Sequence, residues 1–384
     1  MLFRAGPPLS LVRLWTVAGA LVGCGAGEGR SGEVGAAEGA AAGPAAAVGL
    51  AAPGRLIYLA EGAETVEIRT ILPSGQGSKA LLAGTMRREG PSIFPGPVSP
   101  EGAHLVVIEA DDSVAGHLEV IEIRPLTAEG LGAPRWRSDV APQVRNPSWA
   151  PDGRSLAFEA SFESFRDLYR VDLEADGGSS LHRVTDHAAG NYEPSWSPDG
   201  REIAFTSSRD GDPEIYVVGR DGGEARRITA SPGDDYAPSW SPEGSMIAFI
   251  SGREGVERIY GCRPDGSQLR RLSAEAAASG PGWSADEAEP AWSPDGRWLV
   301  FSARTGAQRA GLRVVSAADG ATRALTPGTA SDRAPVWSPD GAFVAFTSDR
   351  SGDPELYGIA IAGGEAVRLS DRPGADWLAR WAPR

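Results

Sequence analysis

Residues Tyr192-Glu193-Pro194-Ser195-Trp196-Ser197-Pro198-Asp199-Gly200 are followed by Ile203-Ala204-Phe205-Thr206-Ser207, Glu214-Ile215-Tyr216-Val217-Val218 and Ala225-Arg226-Arg227-Ile228-Thr229. Each apolar run is short, rich in β-branched and aromatic residues and bounded by Gly, Asp or Pro, so each reads as a β-strand. Ser197-Pro198-Asp199-Gly200 puts Ser first, Pro second and Gly fourth, the chemistry of a type I turn. Working outward, a Trp with this turn or its remnant recurs at Trp149, Trp240, Trp292, Trp337 and Trp381, at intervals of 44 to 52 residues. A period of that size marks a unit that cannot bury both of its faces alone and must stack on copies of itself.

The segment from Arg55 to Arg384 divides into seven such units, whose second strands fall at 56–59, 105–109, 156–160, 203–207, 247–251, 299–303 and 344–348. With the Trp segment, each unit holds four strands in a meander, which predicts an all-β, seven-bladed β-propeller. In the second unit Val98 stands in the Trp place. The first has no Trp segment before Arg55, whereas Ala379-Arg380-Trp381 has no strands after it. The C-terminal strand is therefore expected to join the first blade and lock the ring.

The net charge of -14 excludes a nucleic-acid footprint, since phosphate binding needs a basic surface. Basic, cationic or neutral partners remain. Residues 14–23 form an apolar stretch about half as long as a membrane span requires, following Arg4 and Arg13, and read as the core of an export signal. From Gly25 to Gly54 two thirds of the residues are Ala or Gly, which reads as a flexible tether. The division is thus 1–23 signal, 24–54 tether and 55–384 propeller.

Counting back from each Trp, Pro occupies the second position in Pro147, Pro194, Pro238, Pro290 and Pro335. Pro cannot donate to a ladder, so this strand is expected at the inner edge, lining the channel. Five positions before the Trp stand Val144, Asn191, Asp235, Glu287, Asp332 and Asp376. These are read as either loop caps or an oxygen-rich ring at one channel mouth. Carboxylates about 7 Å apart repel by roughly 2.4 kcal/mol at an effective dielectric of 20, so such a ring would draw a basic partner or a hard cation such as calcium. The Asp210 to Glu214 run and its counterpart Ser351 to Glu355 read as hairpin turns. The four histidines, His104, His117, His182 and His187, have no zinc spacing, and Cys262 reads as a small strand residue. No Gly-x-Ser-x-Gly elbow is present.

The repeat quoted above resembles that of TolB-type propellers, which is also similar to the propeller domains of tricorn-like and prolyl-oligopeptidase-related proteins and of oligogalacturonate lyase. Leu21-Val22-Gly23-Cys24 resembles a lipobox, which implies cleavage before Cys24 and lipidation of its thiol. These resemblances imply a monomeric, non-catalytic scaffold without a cofactor. It would be anchored through Cys24, face the periplasm, sit at the outer membrane and bind an envelope protein or glycan at the channel mouth. The alternative they imply is a carbohydrate-active or peptidase-related enzyme that uses the channel, with or without a metal.

Overall fold

The computed structural model describes residues 53–87, 90–111, 118–138, 144–161, 165–273, 283–305 and 309–382. The signal, Cys24, most of the tether and His117 lie outside them. The described residues form seven antiparallel sheets of four strands each, and the first sheet also includes the two-residue strand Gly90–Pro91. Blade 4 shows the plan from inside to outside: Asn191–Trp196, Glu202–Ser207, Glu214–Gly219 and Arg226–Arg227. The inner strands touch in succession, 93–98 against 145–149, then 191–196, 235–240, 283–292, 332–337 and 376–382, which returns to 93–98. That closed succession is the ring of a seven-bladed β-propeller.

Closure uses two distant parts of the sequence. Asp376–Ala382 pairs antiparallel with Arg55–Glu61, with Trp381 opposite Leu56. The same register puts Trp149 opposite Leu156, Trp196 opposite Ile203 and Trp337 opposite Val344. Blade 1 is thus a regular blade assembled from both ends.

The turns follow from their residues. The Ser197 hydroxyl donates to Asp199 at 2.7 Å and accepts the Glu202 amide at 3.0 Å, while Gly200 adopts φ 69°. Each Trp crosses a seam between blades. Indole Nε1 of Trp196 donates to the Ser148 carbonyl of the preceding blade at 3.0 Å, and Trp149, Trp292, Trp337 and Trp381 do likewise to Pro97, Ser239, Ala291 and Val336. The indole covers a small residue of the preceding blade's second strand, Ala157 for Trp196 and Ala204 for Trp240. A buried Trp removes roughly 200 Å² from water, about 5 kcal/mol as an upper bound.

The Pro-bearing strands are edge strands, as expected, and they carry a feature that the Pro alone did not announce. Asn146, Glu193, Ala237, Glu289, Ala334 and Leu378, three positions before each Trp, have φ between 47° and 57°. The ladder shifts register there, so each inner strand carries a bulge.

Candidate functional site

Asn191, Asp235, Glu287, Asp332 and Asp376 all fall in the first half of their inner strands, at one end of the ring, with Val144 just ahead of its strand. The structure brings them to equivalent places in successive blades. None is more than 5 % exposed, however, because each side chain turns into the seam with the preceding blade.

The partners at each seam come from three further positions of the repeat. Near its start the preceding blade's third strand carries Asp167, Glu214, Arg258, Gly311 or Glu355, just before a buried aliphatic residue. A hydroxyl follows its fourth strand, namely Thr185, Thr229, Ser273, Thr326 or Ser370. An Arg stands two residues after the second-strand Ser in Ser207-Ser208-Arg209, Ser251-Gly252-Arg253 and Ser348-Asp349-Arg350. Asn191 donates to Asp167 at 2.7 Å and accepts from Arg209 at 3.0 Å. Asp235 accepts from Ser251 at 2.5 Å and Arg253 at 2.7 Å, and Asp332 accepts from Arg350 at 2.8 Å. These three guanidinium groups lie over Tyr216, Tyr260 and Tyr357, within 4.4 to 4.7 Å of the ring centroids.

The seams differ by their charges. Between blades 5 and 6, Arg258 replaces the third-strand acid, and Glu287 reaches the Ile259 amide at 2.9 Å and Ser273 at 2.5 Å. Where two acids meet, one is driven toward its neutral form. Burial raises Asp235, with the Ser251 hydrogen bond and Arg253 opposing the shift. At the closing seam Asp376 faces Glu355, which is occupied by Arg368 at 2.5 Å and Ser370 at 2.5 Å. Asp376 pairs with Ala60, so Gly62 holds the place that Arg209, Arg253 and Arg350 hold elsewhere. Burial first, with the nearby Glu355 adding to it, pushes the Asp376 carboxyl up to about 7.

A second polar layer lies at the bulges. Glu193 accepts the Ala237 amide of the next blade at 2.9 Å and the Thr206 hydroxyl at 2.9 Å. Glu289 does the same for Ala334 at 2.8 Å and Ser302 at 2.9 Å. In blade 3 the acid has moved to the second strand: Glu159, fully buried, accepts from Asn146 at 2.8 Å, and its burial, opposed chiefly by Arg166, pushes it up to about 7.

The other candidates do not converge. His182 lies in the outer strand of blade 3, His187 in the loop after it and His104 in blade 2. Cys262 is buried and its thiol is pushed up to about 12 by burial. Asp210 to Glu214 does turn, but Glu214 itself is buried in the seam, where it accepts from Thr229 at 2.5 Å and Arg227 at 2.8 Å. Among the described residues no group of three His, Cys, Asp or Glu is arranged to hold a metal ion. Sequence reading did not identify the third-strand acids, the hydroxyls and the Ser-x-Arg triplets as partners, although their recurrence in phase with the Trp was the available signal.

The TolB β-propeller domain model matches residues 132–288 and 285–384. Among curated proteins, none matches the chain. Among solved structures, TolB from Acinetobacter baumannii is 20% identical with a TM-score of 0.54, covering 86% of this chain and 82% of its own. A periplasmic gluconolactonase of Pseudomonas aeruginosa is 16% identical with a TM-score of 0.60, covering 86% of this chain and 99% of its own. An oligogalacturonate lyase in complex with manganese is 17% identical with a TM-score of 0.57, covering 84% and 87%. At these identities the likeness is one of fold.

Proposed function

The chain belongs to the TolB β-propeller domain family, and on that premise we propose that it is a non-catalytic binding scaffold of the bacterial cell envelope. It takes a protein or glycan partner at one mouth of the channel. Family membership and the lipobox-like Leu21-Val22-Gly23-Cys24 support a periplasm-facing, lipid-anchored protein, with the outer membrane as the destination.

The observation that carries the binding role is the recurring seam array. It roots the loops of one end of the ring, so that end is stiff and its rim charges are held in place. Two of those charges, Asp186 and Asp371, are 82% and 87% exposed in the loops that lead into the inner strands of blades 4 and 1, and each is paired on one side, with Arg183 at 2.7 Å and Arg368 at 3.1 Å. A rim of this kind favours a basic or hydroxyl-rich partner. Pull-down from envelope extract with the parent and with the D186K/D371K double variant tests this. The parent is expected to recover a partner that the variant loses. Equal recovery by both would contradict the rim as the recognition surface.

One observation favours an enzyme as the second reading. Glu159, fully buried beside the inner strands, has its carboxyl pushed up to about 7 by burial, and it would act as a general acid only if the channel opened onto it. Turnover of polygalacturonate, gluconolactone or peptides by the purified protein, with or without manganese, and its loss in E159Q, would replace the scaffold reading. The scaffold predicts no turnover.

A further inference from the structure

Blade 2 breaks the rule of the seams. Val98 pairs with Leu105 in the register where Trp196 pairs with Ile203 and Trp381 with Leu56. No indole therefore crosses from blade 2 onto blade 1. The residue it would cover is Ile57, which pairs with Arg380 as Ala204 pairs with Ser195. Blade 1 also lacks a tight turn between its inner and second strands, because these are Asp376–Ala382 and Arg55–Glu61.

A cleft of about 650 Å³ lies between blades 1 and 2 beside both irregularities, with Ile57, 1% exposed, at its base. Leu72, Leu81 and Leu126 make the rest of an apolar lining, and Leu72 is 36% exposed there. Arg55 and Lys79, the chain's single lysine, supply two cations. No carboxylate occurs among the described lining residues, in a chain of net charge -14. Arg55 donates to Thr70 at 3.1 Å and to the Gly77 carbonyl at 3.2 Å, and Lys79 donates to the Glu129 carbonyl at 2.6 Å. Both thus spend donors on neutral oxygens. The exposed Glu129 side chain is the acid beside Lys79, just outside the lining.

We propose that this cleft is a binding site for a free amphipathic anion, a carboxylate or sulfonate on an apolar body of drug-like size, held by Arg55 and Lys79 with its apolar part over Leu72 and Leu81. Volume and lining suit such a ligand, since small-molecule sites are concave, largely apolar and marked by a few placed charges. The charge complementarity selects an anion over a neutral body of the same shape.

The test is fluorescence titration of the full chain with 1-anilinonaphthalene-8-sulfonate and with its uncharged relative N-phenyl-1-naphthylamine. The sulfonate is expected to bind one saturable site, to bind more tightly than the neutral dye, and to be displaced by dodecanoate but not by phosphatidylglycerol vesicles. K79Q and R55Q are each expected to weaken it about tenfold, and V98W to abolish it by filling the cleft with the missing indole. Unchanged binding in K79Q or in a folded V98W, equal affinity for the two dyes, or displacement by vesicles would overturn the proposal. K79Q changes an exposed side chain, so it decides the matter even if V98W does not fold.

Discussion

Asp376 shows how one missing neighbour changes a repeated residue. Asp235 and Asp332 each have an Arg from their own blade, whereas Asp376 has Glu355 before it and Gly62 where the Arg would stand. Its folded value of about 7 exceeds the unfolded value of about 3.8, so the folded state holds the proton more tightly. The stability this brings is complete below about pH 4 and is lost as the pH rises through 7, by about 4 kcal/mol at most. D376N keeps the side chain's size and removes the charge, and it is expected to melt higher than the parent at pH 8 and without advantage at pH 4. A constant difference across that range would refute the assignment. The bulges give a second prediction. Ala237 and Ala334 are alanines at φ 53° and 50°, where a Cβ is strained. A237G and A334G are each expected to stabilise the chain by about 0.5 to 1 kcal/mol in denaturant titration. The five candidate residues were legible in the sequence as a recurring position, but their direction was not. Period counting locates a residue along a strand, whereas whether it faces open channel or a seam depends on partners 14 to 28 residues away.

At the scale of the element, the strands, their order and the closing pair were readable because turn chemistry, alternation and the Trp period agreed. The bulge was hidden, since Glu, Ala or Asn before a Pro, and Leu378 before Ala379, carry no glycine signal for a positive φ. The same strand explains both the strength and the weakness of the ring. Trp381 reaches Val336 in blade 7 while its backbone pairs with Leu56, so a seven-residue strand carries the last sheet and the last seam together. W381A is expected to cost about 3 to 5 kcal/mol, as large-to-small changes in a core do, and more than truncation of the exposed Leu181, measured by the shift in denaturation midpoint. Equal small costs would show that the seam is not held by the indole.

At the scale of the molecule, seven sheets share one plan, and two of its departures lie side by side where the chain closes on itself. Blade 1 lacks the inner turn and the seam arginine, and blade 2 lacks the Trp. An indole crosses the seams between blades 3 and 7 and buried polar groups pair at several of them, whereas the join opens the cleft lined by Arg55 and Lys79. Rigidity around most of the circle suits a docking face, and the join is a place where the repeat leaves room. Everything rests on a circle completed by strand 376–382. Hydrogen exchange at Arg55–Glu61, in the parent and in a chain truncated after Ala375, tests this most directly. The parent is expected to protect these amides as fully as those of Glu202–Ser207, and the truncated chain to lose that protection by orders of magnitude. Undiminished protection after truncation would contradict closure by the C-terminal strand.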